Sequence, residues 1–340
     1  MKIGIVNDLP IAVEALRRVV ALEPQHQIIW VAPNGAEAME LCAKATPDLI
    51  LMDLIMPGMG GVEATRRIMA STPCAILVVT VSVGANAAHV FEAMGYGALD
   101  AVDTPALGSG NPRETARSLL AKIGMIGKLI GDKNRIPIHA ERGSGASPAS
   151  RQSRLVAIGA SAGGPVALAK VLSGLPKNFP ASIVVIQHVD EQFASGMAEW
   201  LSQQSILPVR VAKQGDRPTA GTVLLAGTGD HLVLKTANRL AYTSEPSDYV
   251  YRPSVDIFFQ SVNLLWPGEV VGVLLTGMGR DGALGLKALR NKGHYTIAQD
   301  RASSAVYGMP KAAAEAGAAV DILPLERIAP KLVNVLRGKH

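Results

Sequence analysis

Cysteine, aromatic side chains and long apolar runs are all scarce in this sequence of 340 residues. Two cysteines, Cys42 and Cys74, are too few for a disulfide framework, which excludes a small secreted scaffold. Aromatic residues make up only 4% of the chain and apolar residues 48%, so the cores must be aliphatic, as in buried parallel sheets. No apolar run is long enough for a membrane span, and no signal-peptide pattern opens the sequence. We therefore expect a soluble, cytoplasmic protein.

The net charge of +5 is concentrated in one segment rather than spread over the chain. Between Lys133 and Arg154 five basic residues stand against one acidic residue, so the remainder is nearly balanced. This distribution argues against a nucleic-acid-binding protein. We interpret the segment as a solubilising linker, and the alternative is a contact with an anionic partner.

Strand-like and helix-like segments alternate on both sides of this basic segment, which predicts an α/β fold. Residues 1–130 contain five short β-branched runs separated by helical periodicity, typical of a flavodoxin-like, five-stranded parallel sheet. Residues 131–152 are rich in Gly, Ser and Pro and are predicted to be a linker. Residues 153–340 predict a second doubly wound α/β domain. Short strands between Pro208 and Thr243 predict an antiparallel region with a hairpin inserted into that domain.

Two carboxylates follow neighbouring strands of the first half. Asp8 comes after the first predicted strand and Asp53 after the third, and the carboxyl ends of parallel strands meet at one edge of a sheet. Carboxylates that converge there repel each other unless a cation lies between them, and hard oxygen ligands suit Mg²⁺. The alternative is that each aspartate caps the following helix.

Here the chain resembles a response-regulator receiver domain over roughly residues 1–125, on the motifs "IVND", "LMDLIMPGMGG", "VVT" and "LDAVDTP". The resemblance implies that Asp53 is the phospho-acceptor and that Thr80 is the switch hydroxyl. It also implies that Mg²⁺ is held by Asp8, Asp53 and the carbonyl of Ile55.

Two positions depart from the receiver pattern. Asn7 stands where the family usually has an acidic residue, and Thr104 stands where it has a lysine. The loss of one carboxylate should weaken Mg²⁺ binding. The loss of the lysine removes a point charge that would contact the phosphoryl oxygens.

The stretch "IGASAGGP" in the second half joins a predicted strand to a predicted helix through a glycine turn. A dinucleotide-binding loop would need a glycine where Ser161 stands, because a side chain there hinders the approach of a pyrophosphate. The spacing Gly159-x-Ser161-x-Gly163 also fits G-x-S-x-G, a turn that exposes a nucleophilic serine. This short pattern alone is a weak signal, so it leaves open both a dinucleotide-binding loop and a turn that carries a nucleophilic serine.

A nucleophilic serine needs a base and an acid that orients the base. His188 ends the next predicted strand of the same sheet, where its imidazole can reach Ser161. Asp281 lies in a glycine-rich loop after a later strand, and the backbone of Met278 and Gly279 in that loop offers N–H groups for an oxyanion. The alternatives are a structural histidine and a helix-capping aspartate.

Five motifs in order, "GASAGGP", "VIQHV", "YRPSVD", "LLTGMGRDGALG" and "VYGMP", resemble the chemotaxis protein-glutamate methylesterase (CheB) family over essentially the whole chain. The resemblance implies Ser161 as nucleophile, His188 as base and Asp281 as orienting acid, with the backbone of residue 278 as oxyanion donor. Arg252 and Met309 lie in two of these motifs and are candidates for substrate contacts, and the alternatives are core packing and surface contacts. The stretches "NDLP", near the start of the chain, and "GYGALDAVDTPALG" further resemble the branch of the family attached to Wsp-type surface-sensing systems.

This resemblance implies a phosphorylation-regulated esterase that hydrolyses glutamate methyl esters on a chemoreceptor-like protein and, by the same chemistry, deamidates glutamine. The implied partners are a methyl-accepting receptor and a histidine kinase of the CheA type, and esterase catalysis should need no cofactor. Three rival functions remain: a dinucleotide-dependent oxidoreductase, a receiver joined to a DNA-binding output, and a scaffold that has lost its esterase chemistry.

Overall fold

The computed structural model describes residues 1–84, 86–105, 116–131, 153–247, 249 and 251–337. The predicted linker lies outside these residues from position 132 onward, so its boundaries stay a prediction. In the described part of the chain no helix is both long enough and apolar enough to cross a lipid bilayer.

The first half folds into a five-stranded parallel sheet with the strand order β2-β1-β3-β4-β5, as predicted. Its strands are β1 (Lys2–Val6), β2 (Gln27–Ala32), β3 (Leu49–Met52), β4 (Ala75–Thr80) and β5 (Asp100–Asp103). Its helices are α1 (Pro10–Ala21), α2 (Gly35–Lys44), α3 (Gly61–Ser71), α4 (Ala87–Gly95) and α5 (Arg117–Gly131). The aliphatic run of β3 is buried along its whole length, because helices cover both faces of the sheet.

The second half contains a seven-stranded parallel sheet with the order β14-β13-β12-β6-β7-β9-β8. Its strands are β6 (Arg154–Ala160), β7 (Ser182–Gln187), β8 (Val209–Val211), β9 (Val223–Leu225), β12 (Glu269–Leu274), β13 (Tyr295–Gln299) and β14 (Asp321–Leu323). The helices are α6 (Gly164–Ser173), α7 (Glu191–Gln204), α8 (Val255–Leu265), α9 (Ala283–Asn291), α10 (Met309–Glu315) and α11 (Leu325–Leu336). The doubly wound α/β prediction is confirmed.

The predicted antiparallel region is correct only in its second part. The strands β10 (His231–Thr236) and β11 (Arg239–Thr243) form an antiparallel hairpin beside the main sheet. The preceding strands β8 and β9 instead extend the main sheet in parallel, so the prediction was wrong for them. Each of these two strands has only three residues, and so short a run of residues does not indicate whether a strand pairs in parallel or antiparallel.

The strand β6 lies between β7 and β12, which places three carboxyl strand ends side by side. From β6 the chain continues to β7 on one side and only much later to β12 on the other. Ligand sites of open parallel sheets lie at such a switch point, outside the carboxyl ends of the strands. This edge carries the turn that contains Ser161.

The two halves pack against each other beside this edge. Helix α4 of the first half contacts α6 and α7 of the second. The backbone N–H of Gly163 donates to the carbonyl of Met94 at 2.7 Å. The ring of Phe91 lies 5.9 Å from that of Trp200. The first half therefore reaches the rim of the edge that carries Ser161.

Candidate active site

The turn after β6 is built to present Ser161. Its backbone N–H donates to the carbonyl of Thr276 at 3.1 Å, which ties the turn to the chain that follows β12. Gly163 has φ +77°, and a Cβ on it would lie 2.6 Å from the Cβ of Ala305. Both conditions require glycine, so the sequence "GASAGG" forces a tight bend directly after the serine.

Gln187 fills the space in which a phosphate would lie. Its fully buried side chain donates from Nε2 to the carbonyl of Ser161 at 2.9 Å. A Cβ on Gly164, at the first turn of α6, would lie 2.0 Å from Gln187 Oε1. The glutamine therefore covers the helix N-terminus on which a pyrophosphate would bind. This packing disfavours the dinucleotide loop and leaves the serine turn.

His188 and Asp281 form a buried pair beside this turn. Nε2 of His188 lies 2.8 Å from Oδ2 of Asp281, and the two side chains are 9% and 4% exposed. Nδ1 of His188 is also buried and, within the described residues, has no hydrogen-bond partner. The hydroxyl of Ser161 makes no hydrogen bond to the described chain either. Both groups line one cavity, so the imidazole has one nitrogen engaged and one available.

The N-terminus of α8 holds the carboxylate of Asp281. Oδ1 accepts hydrogen bonds from the Ser254 hydroxyl at 2.8 Å and from the Asp256 N–H at 3.0 Å, and Oδ2 accepts one from the Val255 N–H at 2.7 Å. Burial would raise the pKa of Asp281, but the hydrogen bond and charge of His188 and these N–H groups outweigh it and lower the pKa. The aspartate is thus an anion held in one orientation.

Asp256 is a second buried carboxyl group next to Asp281. Its Oδ1 accepts from the Gly285 N–H at 2.7 Å, near the N-terminus of α9. Burial, with a further contribution from the negative charge of Asp281, raises the pKa of Asp256 to about 7. The two carboxyl groups therefore titrate in different pH ranges, and below about pH 7 Asp281 is the one that carries the charge.

The loop after β12 lies against the serine. A Cβ on Gly277 would be 2.9 Å from the Cβ of Ser161. In the region that the structure describes, the N–H groups of Met278 and Gly279 donate no hydrogen bond, and Met278 lines the cavity. Met309 does not line it, since it is fully buried with its sulfur packed beneath Gly277. In this arrangement Met309 supports the loop.

The cavity above Ser161 has a volume of about 410 Å³, and both halves of the chain form its walls. The exposed Arg252 lines it and donates a hydrogen bond to the carbonyl of Ser247. Lys122 of α5 also lines the cavity and is only 6% exposed. Its Nζ lies 2.6 Å from Asp100 in its own half and 3.4 Å from Asp190 in the other. An ion pair between two residues that line the cavity thus joins the halves.

The acidic pocket of the first half contains the predicted carboxylates. Asp53 is 6% exposed, and its Oδ2 accepts a hydrogen bond from the Asn7 amide at 3.1 Å. Oδ1 of Asp8 is buried with no hydrogen-bond partner among the described residues. Burial raises the pKa of Asp53, backbone N–H groups oppose the rise, and the charge of Asp8 adds to it. A divalent cation would relieve the repulsion and occupy the orphaned oxygen, so these residues fit Mg²⁺.

The other predicted residues of this pocket lie in the loop after Asp53 and at the ends of the next two strands, β4 and β5. The hydroxyl of Thr80 is buried and accepts from the Asn86 amide at 3.1 Å, and the Thr104 N–H donates to the Thr80 carbonyl at 2.8 Å. Ile55 is 56% exposed, and its N–H lies 3.5 Å from Asp53 Oδ1. No group of three or more His, Cys, Asp or Glu side chains suited to a metal occurs in the described ranges. A cation here would therefore rest on two carboxylates and neutral oxygens.

Comparisons with known proteins cover both halves. Residues 3–106 match the family model of the response regulator receiver domain, and residues 156–332 match that of the CheB methylesterase. The chain is 63% identical to a protein-glutamate methylesterase/protein-glutamine glutaminase of Pseudomonas fluorescens, over 98% of this chain and 99% of that protein. It is 60% identical to a protein-glutamate methylesterase/protein-glutamine glutaminase of Burkholderia thailandensis, over 99% of this chain and 98% of that protein. Among solved structures, the chain is similar to the crystal structure of the Thermotoga maritima CheB methylesterase catalytic domain, with 35% sequence identity and a TM-score of 0.52. The match covers 54% of this chain and 98% of the Thermotoga maritima domain.

Proposed function

The chain belongs to the CheB methylesterase family, and on that premise we propose that it is a phosphorylation-regulated hydrolase that cleaves glutamate methyl esters on a chemoreceptor-like protein. One observation carries this function: Ser161 directly follows β6, His188 directly follows the neighbouring strand β7, and the loop after the other neighbour, β12, brings Asp281 to within 2.8 Å of His188. These three residues are the nucleophile, the base and the orienting acid.

The reaction follows from the geometry of the imidazole. Because Asp281 engages Nε2, Nδ1 of His188 takes the proton as the Ser161 oxygen attacks the ester carbonyl. The negative charge that develops on the carbonyl oxygen is stabilised by the N–H groups of Met278 and Gly279. Methanol leaves with the proton from His188, and an ester links the glutamyl group to Ser161.

Water completes the cycle. His188 takes a proton from a water molecule as that water attacks the acyl-enzyme, and Ser161 leaves with the proton. The products are a glutamate side chain and the free enzyme. A glutamine amide would follow the same route with ammonia as the leaving group, which extends the proposal to the glutaminase activity that the relatives' names include. Arg252, exposed at the cavity wall, is proposed to contact the substrate.

The receiver restrains the esterase by its position. The cavity is closed on one side by receiver residues that include Lys122, whose ammonium group pairs with Asp190 only two positions from His188. The hydrogen bond from Gly163 to Met94 ties the serine turn itself to helix α4. A folded receptor segment needs more room than this cavity offers. Separation of the halves would therefore admit the substrate, and phosphorylation would shift the population toward that arrangement.

Asp53 is the proposed phospho-acceptor, and a histidine kinase of the CheA type is the proposed donor. Mg²⁺ held by Asp8, Asp53 and the carbonyl of Ile55 would neutralise the charge that accumulates on the phosphoryl oxygens. Thr80 accepts one hydrogen bond from the Asn86 amide at its hydroxyl and one from the Thr104 N–H at its carbonyl, and it is proposed as the switch hydroxyl. The assignment to a Wsp-type surface-sensing branch stays a prediction.

The test is methanol release from a receptor fragment that carries glutamate methyl esters, with and without a small-molecule phosphodonor and Mg²⁺. We expect release by the full chain, and faster release with the phosphodonor. The Asp53→Ala variant should keep the basal rate and lose the stimulation. Absence of release from every methylated receptor fragment would overturn the esterase, and stimulation that persists in Asp53→Ala would overturn the switch.

A further inference from the structure

Tyr251 lies face to face with the imidazole of His188. The two ring centroids are 4.2 Å apart and the ring planes differ by 6°, a parallel stack. Tyr251 is half-buried and lines the same cavity as Ser161 and His188. It belongs to the segment that leads into α8, whose N-terminus holds Asp281. One segment thus supports both the ring of the base and the acid beside it.

The hydroxyl of Tyr251 makes no hydrogen bond that would explain this placement. Its oxygen is buried and has no partner in the described part of the chain. It points at Gly279, where a Cβ would lie 2.7 Å from it. Burial, with the nearby charge of Asp281, raises the pKa of Tyr251, so the phenol stays neutral. The contact that accounts for the position of Tyr251 is therefore the stacking of its ring on the imidazole of His188.

The bond to Asp281 fixes only one atom of the imidazole. A ring held only by its Cβ–Cγ bond and by this hydrogen bond can still turn about Cβ–Cγ, and such a turn swings Nδ1 away from Ser161. A flat surface packed parallel to the ring prevents the turn, because any tilt would bring atoms of the two rings into contact. Stacking therefore supplies the second constraint that a general base needs for alignment.

We propose that Tyr251 is a positioning residue for the esterase reaction: its ring holds the His188 imidazole in the plane that directs Nδ1 at Ser161 and stabilises the imidazolium that forms on proton transfer. The second effect arises because a cation over the face of an aromatic ring is attracted by its quadrupole. This inference rests on the proposed function. The imidazolium exists only after proton transfer, so the benefit falls on kcat and not on substrate binding.

The experiment compares Tyr251→Leu, which removes the ring, with Tyr251→Phe, which keeps it. Two rates are measured on the full chain: methanol release from a methylated receptor fragment, and the covalent reaction of Ser161 with a fluorophosphonate probe. Tyr295→Leu is the matched control, since it removes a tyrosine ring from the opposite edge of the sheet. Thermal unfolding of every variant reports on folding.

For Tyr251→Leu we expect kcat to fall about tenfold with KM within about twofold of wild type, and phosphonylation of Ser161 to slow by a similar factor. Tyr251→Phe should stay within about twofold in both assays. Three results would each overturn the proposal: an unaffected Tyr251→Leu, a Tyr251→Phe as impaired as Tyr251→Leu, or a change confined to KM. A wild-type chain that reacts with the probe but releases no methanol would refute the proposed substrate, while the probe rates still decide the role of Tyr251.

Discussion

Oδ2 of Asp281 lies 2.8 Å from Nε2 of His188, and the N-terminus of α8 holds the same carboxylate with three further hydrogen bonds. The imidazole is thus engaged through Nε2, and Nδ1 is the nitrogen that remains for Ser161. The acid is oriented by backbone and by the Ser254 hydroxyl before any substrate arrives. Because the carboxylate is already oriented, the entropy cost of aligning it does not add to the activation free energy of the reaction.

Asp281→Asn keeps the shape of this side chain and removes its charge. The amide neither stabilises an imidazolium nor fixes the tautomer that leaves Nδ1 free to accept a proton. We expect kcat for methanol release to fall by a factor on the order of 10²–10⁴, with KM little changed. Asp216→Asn, an ion-paired aspartate near β8, is the matched control and should retain wild-type kcat. A kcat for Asp281→Asn equal to that of wild type would contradict the assigned role.

Gly95→Ala tests whether packing of the receiver restrains the esterase. A Cβ on Gly95, at the end of α4, would lie 2.1 Å from Cγ2 and 2.8 Å from Cβ of Val166 in the other half. Rotation of the valine cannot relieve the second contact, so the added methyl group should wedge the halves apart. We expect basal methanol release, without phosphodonor, to rise severalfold.

The matched control for the wedge is Gly124→Ala on α5. This is the same substitution in a helix of the same half, but a Cβ there meets nothing within 4 Å. Its basal rate should equal that of wild type. Equal basal rates in Gly95→Ala and Gly124→Ala would argue against restraint by the receiver at this contact.

Asn7→Asp should strengthen Mg²⁺ binding. The substitution places a third carboxylate beside Asp8 and Asp53, where the Asn7 amide now donates to Asp53. We expect the Kd for Mg²⁺, measured by calorimetric titration of the full chain, to fall roughly tenfold, because hard anionic oxygens are the ligands that Mg²⁺ prefers. Asp8→Asn should change the Kd in the opposite direction. An unchanged Kd in both variants would place the cation elsewhere.

Asp256 should make stability depend on pH. Its pKa is about 7 in the folded chain and 3.8 ordinarily, so between about pH 4 and 7 the folded state binds a proton that the unfolded state has lost. The free energy of unfolding contributed by this group must therefore decrease as pH rises through that window. Asp256→Asn keeps an oxygen for the Gly285 N–H and cannot titrate.

Urea unfolding of wild type and Asp256→Asn at pH 5, 6 and 7 checks this dependence. Other titrating groups cancel in the difference between the two proteins, so wild type should lose stability relative to the variant as pH rises. Two parallel curves would show that Asp256 is ionised throughout the range.

Part of the site was predictable because it depends on strand order. Consecutive strands joined by one helix are usually neighbours, so a serine after β6 and a histidine after β7 were expected at one edge. The two carboxylates of the receiver pocket follow β1 and β3, which are not consecutive, and they were expected together because the carboxyl ends of parallel strands lie at one edge of the sheet. The position of Asp281 was harder to predict, since β12 follows β7 by more than 80 residues and only the motif as a whole indicated that it returns beside β6.

Other residues of the site left no such signal. Tyr251 lies in an irregular segment without periodicity, and only the folded chain brings its ring onto His188. Gln187 stands inside the motif "VIQHV", but its packing against Gly164 depends on the rotamer of a buried amide. Lys122 reads as an ordinary helix-surface lysine, but in the folded chain it is buried and contacts Asp190 and the ring of Phe193 in the second half.

Methanol release by wild type and by Ser161→Ala from the same methylated receptor fragment decides whether Ser161 is the nucleophile of an esterase. Ser173→Ala, at the far end of α6, removes an exposed hydroxyl and serves as the matched control. The predicted result is a loss of at least about 10³-fold in Ser161→Ala, with the thermal unfolding midpoint retained and with Ser173→Ala as active as wild type. Undiminished methanol release by Ser161→Ala would contradict the account.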